Sequence, residues 1–239
     1  MGRPLRRRSA SGSACDSGPT VSWVWVPQLP AGLRWSHNSH YHRWLLRQLP
    51  SPLDRALDVG CGRGRLACAL ASRAQQVDAV DASAAIIAAA QRRCPDSFRV
   101  RWLVGDILDR ELPLAVDGYD AVTAVSSLHH LPLDDGLDRL AELVRPGGVL
   151  AVVGHYRPDT VTDRCFEVVA LSANAVAGAA LAVAGDGGKP DDEDMPVRTP
   201  TATLAEVRQA ATRLPGSKVT RALYWRYLPN WWRAPARHA

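Results

Sequence analysis

Five short apolar runs recur along the chain, "RALDVG", "QVDAVDA", "FRVRWLVGDI", "YDAVTAVSS" and "GGVLAVVGH". Segments of helical periodicity separate most of them: "GRLACALASRA", with Leu66, Ala69 and Leu70 at helical spacing, "SAAIIAAAQRRC" and "GLDRLAELV". Returning a chain to start a parallel neighbouring strand requires a long crossover, and these helices supply it. The pattern therefore predicts an α/β fold with a doubly wound, mostly parallel sheet. A helix is also expected over "HNSHYHRWLLRQLP", with Trp44, Leu45 and Leu49 on its apolar side, and another over "TLAEVRQAATRL". The end of the chain, "SKVTRALYWRYLPNWWR", suits two strands forming an antiparallel pair at the C-terminal end of the sheet. Pro229 belongs there at an edge or a bulge, because proline cannot donate to a ladder.

A length of 239 residues accommodates one such domain and would cramp two. We expect residues 1–20, rich in Ser, Gly, Arg and Pro, to be a disordered basic arm, and residues 21–239 to form a single domain. Within it, 21–52 form an N-terminal cap segment, and 156–200 a helical insertion with an acidic loop. That loop, "GDGGKPDDED", reads as a mobile lid or as a solvated connection. The net charge of +5 conceals an acidic middle between two basic ends. Those ends suit either nucleic-acid contact or simple solubilisation. The five cysteines are scattered and never form a CxxC pair, so neither a disulfide framework nor a zinc site is expected. "MGRPLRRRSASGSACDSGP" leads into no apolar segment, and the alanine-rich "VVALSANAVAGAALAVAG" lacks the large side chains of a membrane span. A cytoplasmic protein with no membrane partner is the expectation.

The stretch "ALDVGCGRGRL" places Gly60, Gly62 and Gly64 directly after the first strand, next to Asp58. A strand, a glycine turn and a helix amino terminus make a site for a nucleotide-like ligand, but a dinucleotide fold wants GxGxxG and here Arg65 takes the sixth position. Asp58 suits a ligand carrying an ammonium or sulfonium. Asp81 closes the second strand, where an acid accepts ribose hydroxyls, and Asp106 follows the third, with Ile107 available to cover a flat ring. Each aspartate alone could be a cap or turn former. Together they mark one cleft at the carboxyl ends of the strands.

From about Trp35 to Val153 the sequence resembles the class I S-adenosylmethionine-dependent methyltransferases, of the small single-domain type that acts on small molecules. "LDVGCGRG" resembles their glycine-rich motif, "VDAVDAS" their ribose-binding acid and "VGDI" their adenine-binding pair. "YDAVTAVSSLHHLP" and "ELVRPGGVLAVV" resemble their fourth and fifth strands. The resemblance implies a seven-stranded Rossmann-like methyltransferase fold and S-adenosyl-L-methionine as cofactor. It further implies that Asp58, Gly60, Cys61 and Gly62 line the methionine and ribose portion, that Asp81 holds the ribose, that Ala82 or Ser83 lies near the adenine, and that Asp106 and Ile107 contact it. Val125 would face the methionine part, and Tyr41 or His40, in the segment that covers the cofactor, would either touch its carboxylate or pack at the surface.

Methyl transfer from a sulfonium is an in-line displacement, so positioning supplies much of the acceleration, and a base helps when the acceptor must lose a proton. His130 ranks first for that role, followed by His129 in the same "SSLHHLP" and by His155 in "GHYRP"; each could equally cap or pack a turn. His37, His40 and His42 lack the spacing of a metal site, so no metal is expected. Aromatic residues crowd both ends of the domain, where they either wall a pocket for the acceptor or plug its edges. The expected activity is methyl transfer to an O, N or C atom of a small-molecule acceptor. The alternatives are an RNA methyltransferase, suggested by the basic ends, or a non-catalytic cofactor-binding protein. Against the former, no Asn/Asp-Pro-Pro-aromatic run follows the fourth strand.

Overall fold

In the computed structural model, residues 37–94, 98–163, 165–166, 198–222 and 226–235 are described. The expected basic arm, the first part of the N-terminal cap, the alanine-rich helix and the acidic loop lie outside them. The elements run in the order α1 (His37–Gln48), β1 (Leu53–Val59), α2 (Arg65–Ala71), β2 (Ala74–Asp81), α3 (Ala84–Arg93), β3 (Val100–Val104), β4 (Tyr119–Val125), α4 (Leu133–Glu142), β5 (Val144–His155), α5 (Leu204–Ala211), β6 (Lys218–Ala222) and β7 (Arg226–Trp232).

The strands form one seven-stranded sheet in the order β3-β2-β1-β4-β5-β7-β6. β1 to β5 are parallel, and β7 runs antiparallel to both β5 and β6. This is the doubly wound sheet with its antiparallel end. The chain proceeds outward from β1 in one direction and from β4 in the other, so the crevice between these two strands is the topological switch point, where open α/β sheets bind ligands.

Side-chain alternation sorts the strands into two cores. Ala56, Ala121, Val149 and Ala151 face one side, with Tyr41 and Leu45 of α1, Leu66 and Leu70 of α2, and Ile87 of α3. Leu57, Val122, Leu150 and Val152 face the other, with Leu137 and Leu140 of α4 and Leu204 and Val207 of α5. Covered on both faces, β4 is buried from Tyr119 to Ala124, which explains why it reads as a continuous apolar run. Helix starts follow local chemistry. Ser83 Oγ accepts from Ile86 N at the head of α3. At the head of α5, Thr203 and Glu206 form a reciprocal capping box.

Several expectations shift in detail. In α2 the buried residues are Leu66, Ala67 and Leu70 rather than Ala69, and the chain already enters β2 at Ala74. α4 ends at Glu142, and β5 begins at Val144, before the glycine pair. Pro229 lies in β7, which has a neighbour on each side instead of forming an edge. The β5–β7 register accommodates it by pairing Val149, Leu150 and Ala151 with Trp232, Trp231 and Asn230, then resuming at Gly154 and Tyr227 beyond the proline. The cysteines depart further from expectation. Cys68 of α2 and Cys94 at the end of α3 are disulfide-bonded, with Cα atoms 6.3 Å apart, because the two helices pack on the same face of the sheet. Cys61 and Cys165 are free.

Candidate functional site

The cleft opens over the carboxyl ends of β1, β2 and β4, with a volume of about 350 Å³, within the range of small-molecule sites. Its floor begins at Gly60, whose φ of +65° is a left-handed conformation that glycine adopts without strain. A Cβ there would come within 2.3 Å of the Ser127 Cβ. Gly60 is thus what lets the first turn and the end of β4 approach each other. Gly64, the third glycine, serves packing: a Cβ on it would lie 2.5 Å from the Trp102 ring.

Asp81 organises the turn. Its Oδ2 accepts from Gly62 N at 3.1 Å, its Oδ1 accepts from Ser83 N at 3.0 Å, and it lines the cleft. One carboxylate therefore ties the glycine turn to the head of α3 and retains lone pairs for a ligand. Ala82, Asp106 and Ile107 line the same wall. Asp106 Oδ1 accepts from Leu108 N at 3.0 Å, while Ile107 is buried, its carbonyl held by Arg139 Nε. Of the residues singled out in the sequence for the cofactor, Gly60, Asp81, Ala82, Asp106 and Ile107 come together here.

The others lie behind the wall. Asp58 is 2% exposed, and burial pushes its carboxyl up to about 7. Hydrogen bonds from Thr123 Oγ1, 3.1 Å from Asp58 Oδ1, and from the Ala67 backbone oppose this shift without cancelling it. Oδ2 of Asp58 is buried with no hydrogen-bond partner. The sequence places this carboxyl beside the turn; the structure buries it there, against Thr123 of β4. Cys61 belongs to the core on the α1 side, with its thiol pushed up by burial. The Gly62 amide is committed to Asp81, and Val125 packs against the same core. Tyr41 is also buried there, its ring 5.5 Å from the Arg226 guanidinium carbon.

The opposite wall is formed by Ser126, Ser127, His130 and Leu131, from the end of β4 and the single 3-10 turn Leu128–His130 that follows it. Ser126 has φ +55°, uncommon outside glycine, and this conformation is buttressed. Its Oγ accepts from Arg226 Nη1 at 2.7 Å and lies 3.1 Å from His155 Nε2. Ser127 Oγ donates to the Val59 carbonyl at 2.7 Å. His130 reaches the cleft, and Arg198 Nη1 donates to its carbonyl at 3.1 Å. His129 stands behind it, with ring centroids 4.3 Å from His130 and 5.1 Å from His155. Burial, then the charges of His130, Arg226 and Arg198, push the His129 imidazole down to about 4. His130 is pushed down by burial and Arg198, with Asp81 opposing.

Sequence reading named the histidines and missed Ser126, Arg198 and Arg226. The serine was visible in "SSLHH", but its left-handed backbone was not. Arg226 lies 100 positions further along the chain and reaches Ser126 only because β7 pairs with β5. No group of three or more His, Cys, Asp or Glu among the described residues could hold a metal ion. No helix among them is long and apolar enough to cross a membrane.

Comparison with known proteins agrees with this geometry. A family profile described as "Methyltransferase domain" matches residues 56–148. An uncharacterized methyltransferase of Mycobacterium tuberculosis is 38% identical over 204 residues, covering 84% of this chain and 98% of the relative. Rat glycine N-methyltransferase is 34% identical over 157 residues, 58% of this chain and 52% of that protein. Among solved structures, the N-methyltransferase NodS from Bradyrhizobium japonicum, in complex with S-adenosyl-L-homocysteine, shares the fold with a TM-score of 0.54 at 16% identity, covering 83% of this chain and 87% of that one. With the strand order, the glycine turn and the acids at the strand ends, these similarities establish that the chain belongs to the class I S-adenosylmethionine-dependent methyltransferases.

Proposed function

We propose that the protein methylates an O, N or C atom of a small organic acceptor held in this cleft, with S-adenosylmethionine bound along the β1–β3 side and the acceptor along the β4–β5 side. The observation that carries the reading is the division of one cleft between a wall of strand-end acids and a wall of Ser126, Ser127 and His130. In it, Asp81 accepts from the ribose hydroxyls while its bonds to Gly62 and Ser83 keep it fixed. Asp106 accepts from the adenine amino group and Ile107 covers the ring. The open face of Gly60 admits the cofactor's backbone-hugging portion. Bound there, the cofactor supplies an electrophilic methyl group on a sulfonium. The chain's own contribution is alignment, since reacting groups held in line need little further help. His130 orients the acceptor at the cleft mouth. A small acceptor also suits a volume of about 350 Å³ that a cofactor must share, and the rat relative is named for one, glycine.

The test is calorimetric titration with S-adenosylmethionine, S-adenosylhomocysteine and NAD in parallel. Binding of the first two alone is expected. Binding of NAD alone, or of none, would overturn the assignment of the cleft.

A further inference from the structure

We propose that Arg139 selects the base of the cofactor from outside the cleft, as a positioning residue that aims the Asp106 carboxylate through the peptide joining Ile107 to Leu108. The inference rests on the methyl-transfer reading above and supplies the origin of its preference for adenine.

Asp106 and Ile107 line the cleft, but they follow the end of β3 on an irregular segment with no ladder to hold them. A side chain in such a place discriminates between ligands only when its surroundings fix it. Gly105 N, donating to the Asp81 carbonyl at 3.0 Å, anchors the start of the segment. Among the described residues, the bond that holds the Asp106 carboxylate comes from Leu108 N, 3.0 Å from Oδ1. That N–H belongs to the same peptide group as the Ile107 carbonyl, to which Arg139 Nε donates at 3.0 Å. A trans peptide is planar, with its N–H and C=O pointing in opposite directions. Fixing the carbonyl therefore fixes the N–H, and with it the carboxylate. Arg139 reaches Asp106 without touching it, and each bond of the chain polarises the next.

The donor has a rigid base. Leu137 and Leu140, either side of Arg139 on α4, pack in the same core as the buried Ile107, and the Arg139 side chain is only 12% exposed. Glu142 adds a second link, since it lies 3.6 Å from Arg139 and 3.2 Å from Arg110. The Glu142 side chain is 47% exposed, however, and ion pairs at the surface contribute little. The Nε donor is thus the working part, and the guanidinium charge is not.

Adenine presents an amino donor at C6. Hypoxanthine presents a carbonyl there and carries its proton on N1. A carboxylate held in place accepts from the first and is repelled by the second, whereas one free to turn reaches the N1 proton. Discrimination between the two bases therefore measures how firmly Asp106 is aimed.

The test is the ratio of affinities for S-adenosylhomocysteine and S-inosylhomocysteine, measured by calorimetry with thermal unfolding alongside. The wild-type protein should prefer the adenosyl ligand by about tenfold or more. Arg139→Met removes the donor and keeps an apolar stem, so the two affinities should come within about threefold of each other. Arg139→Gln removes the charge but carries a side-chain N–H as many bonds from Cα as Nε, so it should keep the ratio within about twofold of wild type. Glu142→Gln should keep it as well. A merely structural role would weaken both ligands alike, and an unchanged ratio in Arg139→Met would overturn the proposal. So would equal loss of discrimination in Arg139→Gln, or its loss in Glu142→Gln. If Arg139→Met does not fold, Arg139→Leu takes its place; failure of both to fold would make Arg139 a folding residue and overturn the proposal too. Equal binding of the two ligands by the wild-type protein would overturn it while leaving the methyl-transfer reading intact. If S-adenosylhomocysteine itself does not bind, that reading fails first.

Discussion

The two walls of the cleft are made from different kinds of structure. On the β1–β3 side, Gly60, Asp81 and Asp106 each close a strand or follow one by at most two residues. Asp81 is held by amides only 19 and two positions away. On the β4–β5 side, Ser126 is held by His155, 29 positions away, and by Arg226, 100 positions away. The first wall is a product of local strand–turn–helix geometry and is acidic. The second is assembled by sheet pairing and is lined by Ser126, Ser127, His130 and Leu131. The first wall is thereby held by short-range contacts, while the second depends on the far end of the chain.

Gly60 is where the walls meet, so its replacement should have the largest effect. Gly60→Val combines a left-handed backbone with a Cβ 2.3 Å from that of Ser127, and we expect a stability loss of roughly 2 to 5 kcal/mol with loss of S-adenosylhomocysteine binding. Thermal unfolding and calorimetry would check it; wild-type stability in this variant would break the idea that the walls depend on close approach.

Asp58 sharpens the contrast, because a third acid of the first wall is kept out of the cleft and pushed up from 3.8 to about 7. A raised carboxyl means that the folded state holds the proton more tightly than the unfolded chain. Its contribution is complete below about pH 4 and is lost as pH rises through 7, at most roughly 4 kcal/mol in all. Asp58→Asn keeps an oxygen that accepts from the Thr123 hydroxyl, so it should remove this slope and stabilise the protein at pH 8. Urea unfolding at pH 5 and pH 8 would reveal it, and an unchanged slope in the variant would place the titration elsewhere.

Asp81→Ala should weaken S-adenosylhomocysteine binding by about one to two powers of ten, since a charge-assisted hydrogen bond contributes roughly 1.5–3 kcal/mol. An unchanged affinity would remove Asp81 from the cofactor site. The smallest effect is expected at His130: as a residue that orients the acceptor, its replacement in His130→Gln should lower turnover by less than about tenfold, and a fall of about 10² to 10⁴ would make it a general base.

Much of the fold was legible because strand and helix periods are local, and short-range alternation is enough to require parallel pairing. The same locality marked Asp81, Asp106 and the glycine turn, which the fold brings to one cleft. It left open the burial of Asp58, whose position in the strand looks identical whether its side chain turns toward cleft or core. It failed for Pro229, since nothing nearby marks β7 as having two neighbours. It failed as well for Cys68 and Cys94, which meet only when α2 and α3 lie side by side.

The sequence by itself determined the alternation of strands and helices, the family, and the acids that end β2 and β3, because each is written in spacings shorter than one crossover. Only the tertiary structure decided how the wall at Ser126 is held. Antiparallel pairing of β7 with β5 carries Arg226 to Ser126, and hydrogen bonds to distant strands hold that serine in a backbone conformation its own side chain disfavours.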